Sequence, residues 1–314
     1  MSITPEAITT VLEKGRAAGL AASGGKNADY IPYLASVPSD LFGIAVVTAD
    51  GQVFKTGDAD FAFAIESISK VFTLALVMEK IGAEAVHKKV GADPTGLPFN
   101  SVIALELHGG RPLSPLVNAG AIATTSLVPG DSADACWKAI LDCQSRFAGR
   151  QISLSDEVNR SEQTTNFHNR AIAWLLYSAG TCYSDPMQAV DVYTRQCSTL
   201  VTTIELATMG ATLAAGGINP VSKERVIAAS NTGPILAEMA MEGLYTASGD
   251  WAFNVGLPGK SGVGGGLLAV VPGELAIAAF SPPLDPAGNS VRGLAAVAAV
   301  AKALDRNLFQ PHQA

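Results

Sequence analysis

Aromatic side chains are scarce, at 6% of 314 residues, although hydrophobic residues make up 48%. A core drawn from such a chain packs mainly on alanine, leucine, valine and isoleucine, which favours alanine-rich helices and close backbone contacts. Basic residues are also short, 21 against 28 acidic ones, and the formal charge of -7 argues against nucleic acid or an anionic membrane as partner. A small molecule is expected instead. The four cysteines, Cys136, Cys143, Cys182 and Cys197, form no C-x-x-C pair, and His87, His108, His168 and His312 are scattered. This pattern offers no metal-ligand spacing and reads as reduced thiols in a cytoplasmic protein. Residues 1–20 contain no apolar run of signal-peptide length, and the apolar tract at 293–301 lies between Arg292 and Lys302, too short to span a bilayer. Neither export nor a membrane is expected. Repeats, low-complexity linkers and long charge runs are absent from the sequence.

What the sequence has is a serine and a lysine three residues apart, in Ser67-Ile68-Ser69-Lys70, ahead of the apolar segment 71–78. At the start of a helix the two share a face, so the amine can take the proton of the hydroxyl. A buried helix holds Lys70 in a poorly solvated place, which favours the neutral amine that acts as a base. The pattern S-x-x-K recurs by chance and needs partners. Lys260-Ser261-Gly262, followed by Val263, three glycines and the apolar run 267–271, is one. In serine acyl-transfer enzymes of the S-x-x-K type such a triplet lies on a strand beside the nucleophile. There Lys260 would hold substrate anions or polarise the proton relay, and a backbone N–H of the strand would join that of Ser67 in an oxyanion hole. The bland alternative is a glycine-rich turn entering a buried strand. Gly259-Lys260-Ser261 also imitates the end of a phosphate-binding loop, but Asn254 stands where that motif needs glycine, and no helix pattern follows. Nucleotide hydrolysis is therefore rejected.

Residues 41–48 and 52–56 flank Ala49-Asp50-Gly51, and residues 266–271 and 275–281 flank Pro272-Gly273, each reading as a hairpin. With 251–255 as a further strand, an antiparallel sheet of about five strands is expected. Helices over 4–18 and 290–308 would cover one of its faces. Between Ser67 and about Ala247 the pattern is helical, with turns at 93–96 and 216–220; Thr202-x-x-Glu205 predicts a capping box and Gly216-Gly217 the end of that helix. The expected architecture is α+β: one domain over 1–314, with a discontinuous sheet subdomain at about 1–66 and 248–314 interrupted by a large helical subdomain at about 67–247.

Several blocks, taken in order, resemble one family. They include Ala28-Asp29-Tyr30-Ile31-Pro32, Ser67-Ile68-Ser69-Lys70, Val117-Asn118-Ala119-Gly120, Ser161-Glu162 with Asn169-Arg170, Tyr193-Thr194-Arg195-Gln196-Cys197-Ser198, Gly243-Leu244-Tyr245, Lys260-Ser261-Gly262-Val263 and Ser281-Pro282-Pro283-Leu284-Asp285. From about Lys26 to Gly293 the chain is similar to the bacterial serine-dependent glutaminases, whose fold resembles the serine β-lactamases and penicillin-recognising enzymes. The resemblance implies hydrolysis of L-glutamine to L-glutamate and ammonia through an acyl-enzyme, without cofactor or metal. It implies Ser67 as nucleophile, Lys70 as general base, Tyr193 in proton transfer and the N–H groups of Ser67 and Val263 as oxyanion donors. Glu162 would pair with the substrate α-ammonium, while Tyr30, Asn118, Asn169 and Tyr245 hydrogen-bond the zwitterion. A homodimer or homotetramer is expected. Two positions depart from the pattern: Glu66, where many relatives carry glutamine, and His168-Asn169-Arg170, where arginine often precedes the asparagine. A carboxylate at Glu66 would either stabilise a protonated Lys70 and raise the pH optimum or point into solvent. The competing readings are a β-lactamase or cell-wall peptidase, which would need export and an S-D-N triplet, and a catalytically silent ligand-binding protein.

Overall fold

The computed structural model describes residues 4–310; His312 lies outside them. Among the described residues the strands are β1 (Gly43–Thr48), β2 (Val53–Gly57), β3 (Phe63–Ala64), β4 (Ser153–Leu154), β5 (Thr199–Val201), β6 (Gly259–Ser261), β7 (Gly266–Val271) and β8 (Leu275–Phe280). Five of them form an antiparallel sheet in the order β2-β1-β8-β7-β6, so strands from the two ends of the chain meet at its centre. Alternation of side chains across each strand sends its residues to two different cores. Ile44, Val46, Leu267, Ala269, Ile277 and Ala279 pack with Ile8, Leu12, Val297 and Val300 of the terminal helices Pro5–Ala21 and Val291–Ala303. Ala45, Val47, Leu268, Val270, Ala276 and Ala278 face the other way, onto Leu206 and Met209 of the Thr203–Ala214 helix and the helices beyond it. This helix lies close against the sheet: a Cβ at Gly210 would stand 2.5 Å from Leu268 Cδ1. The strands β1, β7 and β8 read as continuous apolar runs because both faces are covered.

The local signals act as their chemistry suggests. Thr202 Oγ1 accepts from Glu205 N–H at 3.3 Å while Glu205 Oε2 accepts from Thr202 N–H at 2.8 Å, the reciprocal bonds of a capping box. The helix ends before Gly216 and Gly217, whose φ angles of +65° and +84° turn the chain. Thr4 and Ser290 cap the two terminal helices, accepting from Ala7 and Gly293 N–H.

One expected strand is corrected. Residues 251–255 belong to the turn of the Ser248–Asn254 helix and its end, and the fifth strand is β6 instead. Trp251 and Val255, four residues apart, share the buried face, whereas Phe253 between them is exposed. Apolar residues at i, i+2 and i+4 fit either period in so short a segment. β6 escapes notice because Gly259-Lys260-Ser261 has no strand-like composition, although all three residues are buried.

Candidate active site

A short 3-10 turn, Glu66–Ile68, links β3 to the Ser69–Ile81 helix and presents Ser67. The glycine-rich loop after β6 lies directly on this turn. A Cβ at Gly264 would come within 2.4 Å of Ala64 O and one at Gly262 within 2.8 Å of Ile65 O. Glycine permits this approach, and it brings Val263 to the wall of the cavity that Ser67 lines. That cavity, about 210 Å³, gathers Tyr30, Glu66, Ser67, Asn118, Glu162, Asn169, Tyr193 and Val263 from widely separated segments.

Lys70 stands one turn after Ser67 and is 1% exposed. Its Nζ donates to Asn118 Oδ1 at 2.8 Å, with Leu116 O farther off at 3.4 Å. Burial draws its pKa down to about 8, against the opposing pull of Cys197, Glu66 and Glu242. The hydroxyl of Tyr193 donates to the same Asn118 Oδ1 at 3.3 Å, and Asn118 Nδ2 donates to Asn169 Oδ1 at 2.9 Å. Burial raises the Tyr193 phenol well above its ordinary range, so it is a neutral donor at physiological pH. Tyr245, in left-handed backbone at φ +58°, points its hydroxyl to Ser261 O at 3.3 Å.

Across the cavity Glu162 is buried, accepts from Ser198 Oγ at 3.2 Å, and is pushed by burial up to about 7. Tyr30 stands half-exposed at the rim.

Lys260, expected either to hold substrate anions or to polarise the proton relay, does not line the cavity. It is fully buried outside the cavity wall, with Nζ donating to Gly243 O at 2.9 Å and Ser261 O at 2.6 Å and lying 4.1 Å from the Tyr245 ring centroid. Burial, then Lys70, lowers its pKa well below the ordinary lysine range. It ties β6 to the segment carrying Tyr245. Glu66, for which a solvent-facing position was one expectation, is buried and lines the cavity.

Sequence reasoning passed over Asn166 and Cys197, which also line the cavity. Cys197 lies four residues after Tyr193 on one helix, a spacing that could have placed it on the same face. Asn166 is held by Arg170, whose Nε donates to its Oδ1 at 2.8 Å, so the departure at Arg170 supports the wall from behind. Among the described residues no cluster of three or more His, Cys, Asp or Glu could hold a metal ion, and no helix is long and apolar enough to cross a membrane.

The five-stranded antiparallel sheet with covering helices, and a Ser-x-x-Lys whose serine lines a small cavity, place the chain with the amidohydrolases of the β-lactamase-like fold that it resembles in structure. The chain belongs to the glutaminase family, whose family model, described as Glutaminase, matches residues 25–309. It is 80% identical over 309 residues to a glutaminase of Brucella canis, covering 98% of each chain. Among solved structures it is similar to the probable glutaminase ybaS, with 64% identity, a TM-score of 0.97 and coverage of 98% of this chain and 100% of that one. It is also similar to Mglu in its glutamate form, with 35% identity, a TM-score of 0.90 and coverage of 100% and 71%.

Proposed function

We propose that this protein hydrolyses the side-chain amide of L-glutamine to L-glutamate and ammonia through an acyl-enzyme on Ser67. One observation carries the reading. Ser67 lines a cavity together with Glu66 and Glu162 and lies one turn before a buried lysine that forms no ion pair among the described residues. Ser67 Oγ attacks the amide carbon while its proton passes to the neutral Nζ of Lys70, and the N–H groups of Ser67 and Val263 receive the oxyanion. Tyr193 gives a proton to the departing ammonia. Water then attacks the acyl carbon, loses a proton to the relay, and Ser67 is restored. Asn118 accepts from both Lys70 and Tyr193, so it fixes the two proton carriers relative to each other and does not itself relay.

Glu162 receives the substrate α-ammonium, and Tyr30, Asn118, Asn169 and Tyr245 hydrogen-bond the remainder of the zwitterion. Lys260 acts at one remove, by positioning Tyr245 and β6. The domain division fits this distribution. The sheet part, about 1–66 and 248–314, contributes Tyr30, Lys260 and Val263, and the helical part, about 67–247, contributes Ser67, Lys70, Asn118, Glu162, Asn169, Tyr193 and Tyr245. Similarity to a protein solved in its glutamate form supports the substrate class. The test is ammonia release from a panel of free amino acid amides: glutamine should dominate, and release from every amide alike, or from none, would overturn the reading.

A further inference from the structure

Glu66 precedes Ser67 in left-handed backbone, φ +51°, which costs a residue with a Cβ some strain. The glycine-rich loop fences its stem: a Cβ at Gly262 would lie 3.3 Å from Glu66 Cβ and one at Gly264 3.2 Å from Glu66 Cγ. Held there, Glu66 is 3% exposed, yet it lines the same cavity as Glu162. Its Oε1 is buried with no hydrogen-bond partner. Among the described residues no lysine, arginine or histidine forms an ion pair with either carboxylate. Both carboxylates line the same cavity of about 210 Å³. Two carboxylates are both acceptors, so a contact between them requires a proton.

The titratable groups around the pair are Lys70 beyond the serine turn, His168, which lines the same cavity with Nε2 2.6 Å from Asn100 O, and the acids Tyr30, Tyr193, Cys197 and Tyr245, whose pKa values burial raises. Glu242 acts on Lys70 from farther away. Burial and mutual repulsion hold Glu66 well above the ordinary carboxylate range, while burial takes Glu162 to about 7. We propose that Glu66 and Glu162 form a two-carboxylate subsite that keeps one proton between them when vacant and exchanges it for the α-ammonium of the substrate. Each binding event then releases one proton to solvent. The exchange conserves charge, since one positive charge enters as the ammonium and one leaves as the proton. This deepens the glutamine reading and rests on it, adding Glu66 as a residue that sets the preference for a cationic amino group.

Because proton and ammonium compete, the apparent affinity for glutamine rises by up to about tenfold per pH unit while the proton is held. With Glu66→Gln position 66 can hold no acidic proton, and only the share carried by Glu162 has to leave. The test titrates L-glutamine into Ser67→Ala protein at about pH 7 in buffers of different ionisation enthalpy, where the slope of heat against that enthalpy counts protons. We expect close to one proton released per glutamine bound, falling to no more than about half when Glu66→Gln is added, the share that Glu162, at about 7, still holds. Binding without buffer dependence overturns the exchange, and undiminished release in the double variant assigns the proton elsewhere and overturns it too. On the active enzyme, KM for glutamine should fall with rising pH over roughly pH 6 to 7, separately from the rise in kcat that neutral Lys70 brings, and a flat KM contradicts the proposal. A wild-type enzyme that releases no ammonia from glutamine overturns the glutamine reading itself, a result distinct from binding without proton release.

Discussion

Lys70 and Tyr193 converge on a single oxygen: Asn118 Oδ1 accepts from Lys70 Nζ at 2.8 Å and from the Tyr193 hydroxyl at 3.3 Å. One side chain therefore sets the separation of the base and the proton donor, and Asn169 fixes it in turn through a 2.9 Å bond. Asn118→Ala should lower kcat by about 10²-fold, since misplacement on the order of 1 Å costs that much. Steady-state kinetics at saturating glutamine check this, and an unchanged kcat would show that Asn118 serves binding alone.

Ser67→Ala should abolish turnover while glutamine binding stays measurable, because the recognition groups remain. Lys70→Ala should be nearly as damaging, with losses on the order of 10³-fold or more, since members of a catalytic unit fail together. Ammonia release and equilibrium binding, measured on the same protein samples, separate the two effects.

The pH profile follows from Lys70, whose burial brings its pKa down to about 8. The base must be neutral, so kcat/KM should rise with pH and level off above that value. Glu66 opposes the lowering, so Glu66→Gln should move this limb to lower pH. A limb that stays in place would show that Glu66 does not act on Lys70.

Stability carries the opposite sign. Glu66 and Glu162 both have pKa values raised in the folded protein. The folded state therefore binds their protons more tightly than the unfolded state does. Their contribution is greatest below the unfolded carboxylate range and is lost as pH rises through the folded values. Tm should fall from mildly acidic pH toward about pH 8 more steeply in wild type than in Glu66→Gln. Thermal unfolding at several pH values decides it.

Ser67 and Lys70 were legible because an i, i+3 pair followed by an apolar helix states its own geometry, and the two hairpins were legible from alternation and turn residues. The orientation of Glu66 was not. It depends on a left-handed φ and on contact with Gly262 and Gly264, nearly two hundred residues away in the chain. The place of Lys260 was obscured for a related reason: a lysine beside a glycine-rich loop suggests an open cation, and only the packed structure supplies the carbonyls of Gly243 and Ser261 that take its donors. Gathering Glu162, Asn169 and Tyr193 into one cavity required the family resemblance, because no local spacing links them to Ser67.

Selectivity should favour glutamine strongly over asparagine and over N-acylated glutamine. Asparagine is one methylene shorter, worth about 1–3 kcal/mol in binding, and with its α-groups clamped it cannot bring its carbonyl to Ser67. N-acylation removes the charge that Glu162 pairs with and leaves a buried acid without a partner. Glu162→Gln should raise KM for glutamine strongly and narrow the preference for a free amino group. Values of kcat/KM for the three amides on both proteins test this, and equal use of asparagine would contradict the clamp.

The most direct measurement of the central claim is covalent trapping. Incubated with an electrophilic glutamine analogue, the enzyme should lose activity in step with the appearance of one adduct, which peptide mass spectrometry places on Ser67. The Ser67→Ala protein should remain unlabelled. Stoichiometric inactivation with the adduct on any other residue, or labelling that persists in Ser67→Ala, would contradict an acyl-enzyme on Ser67.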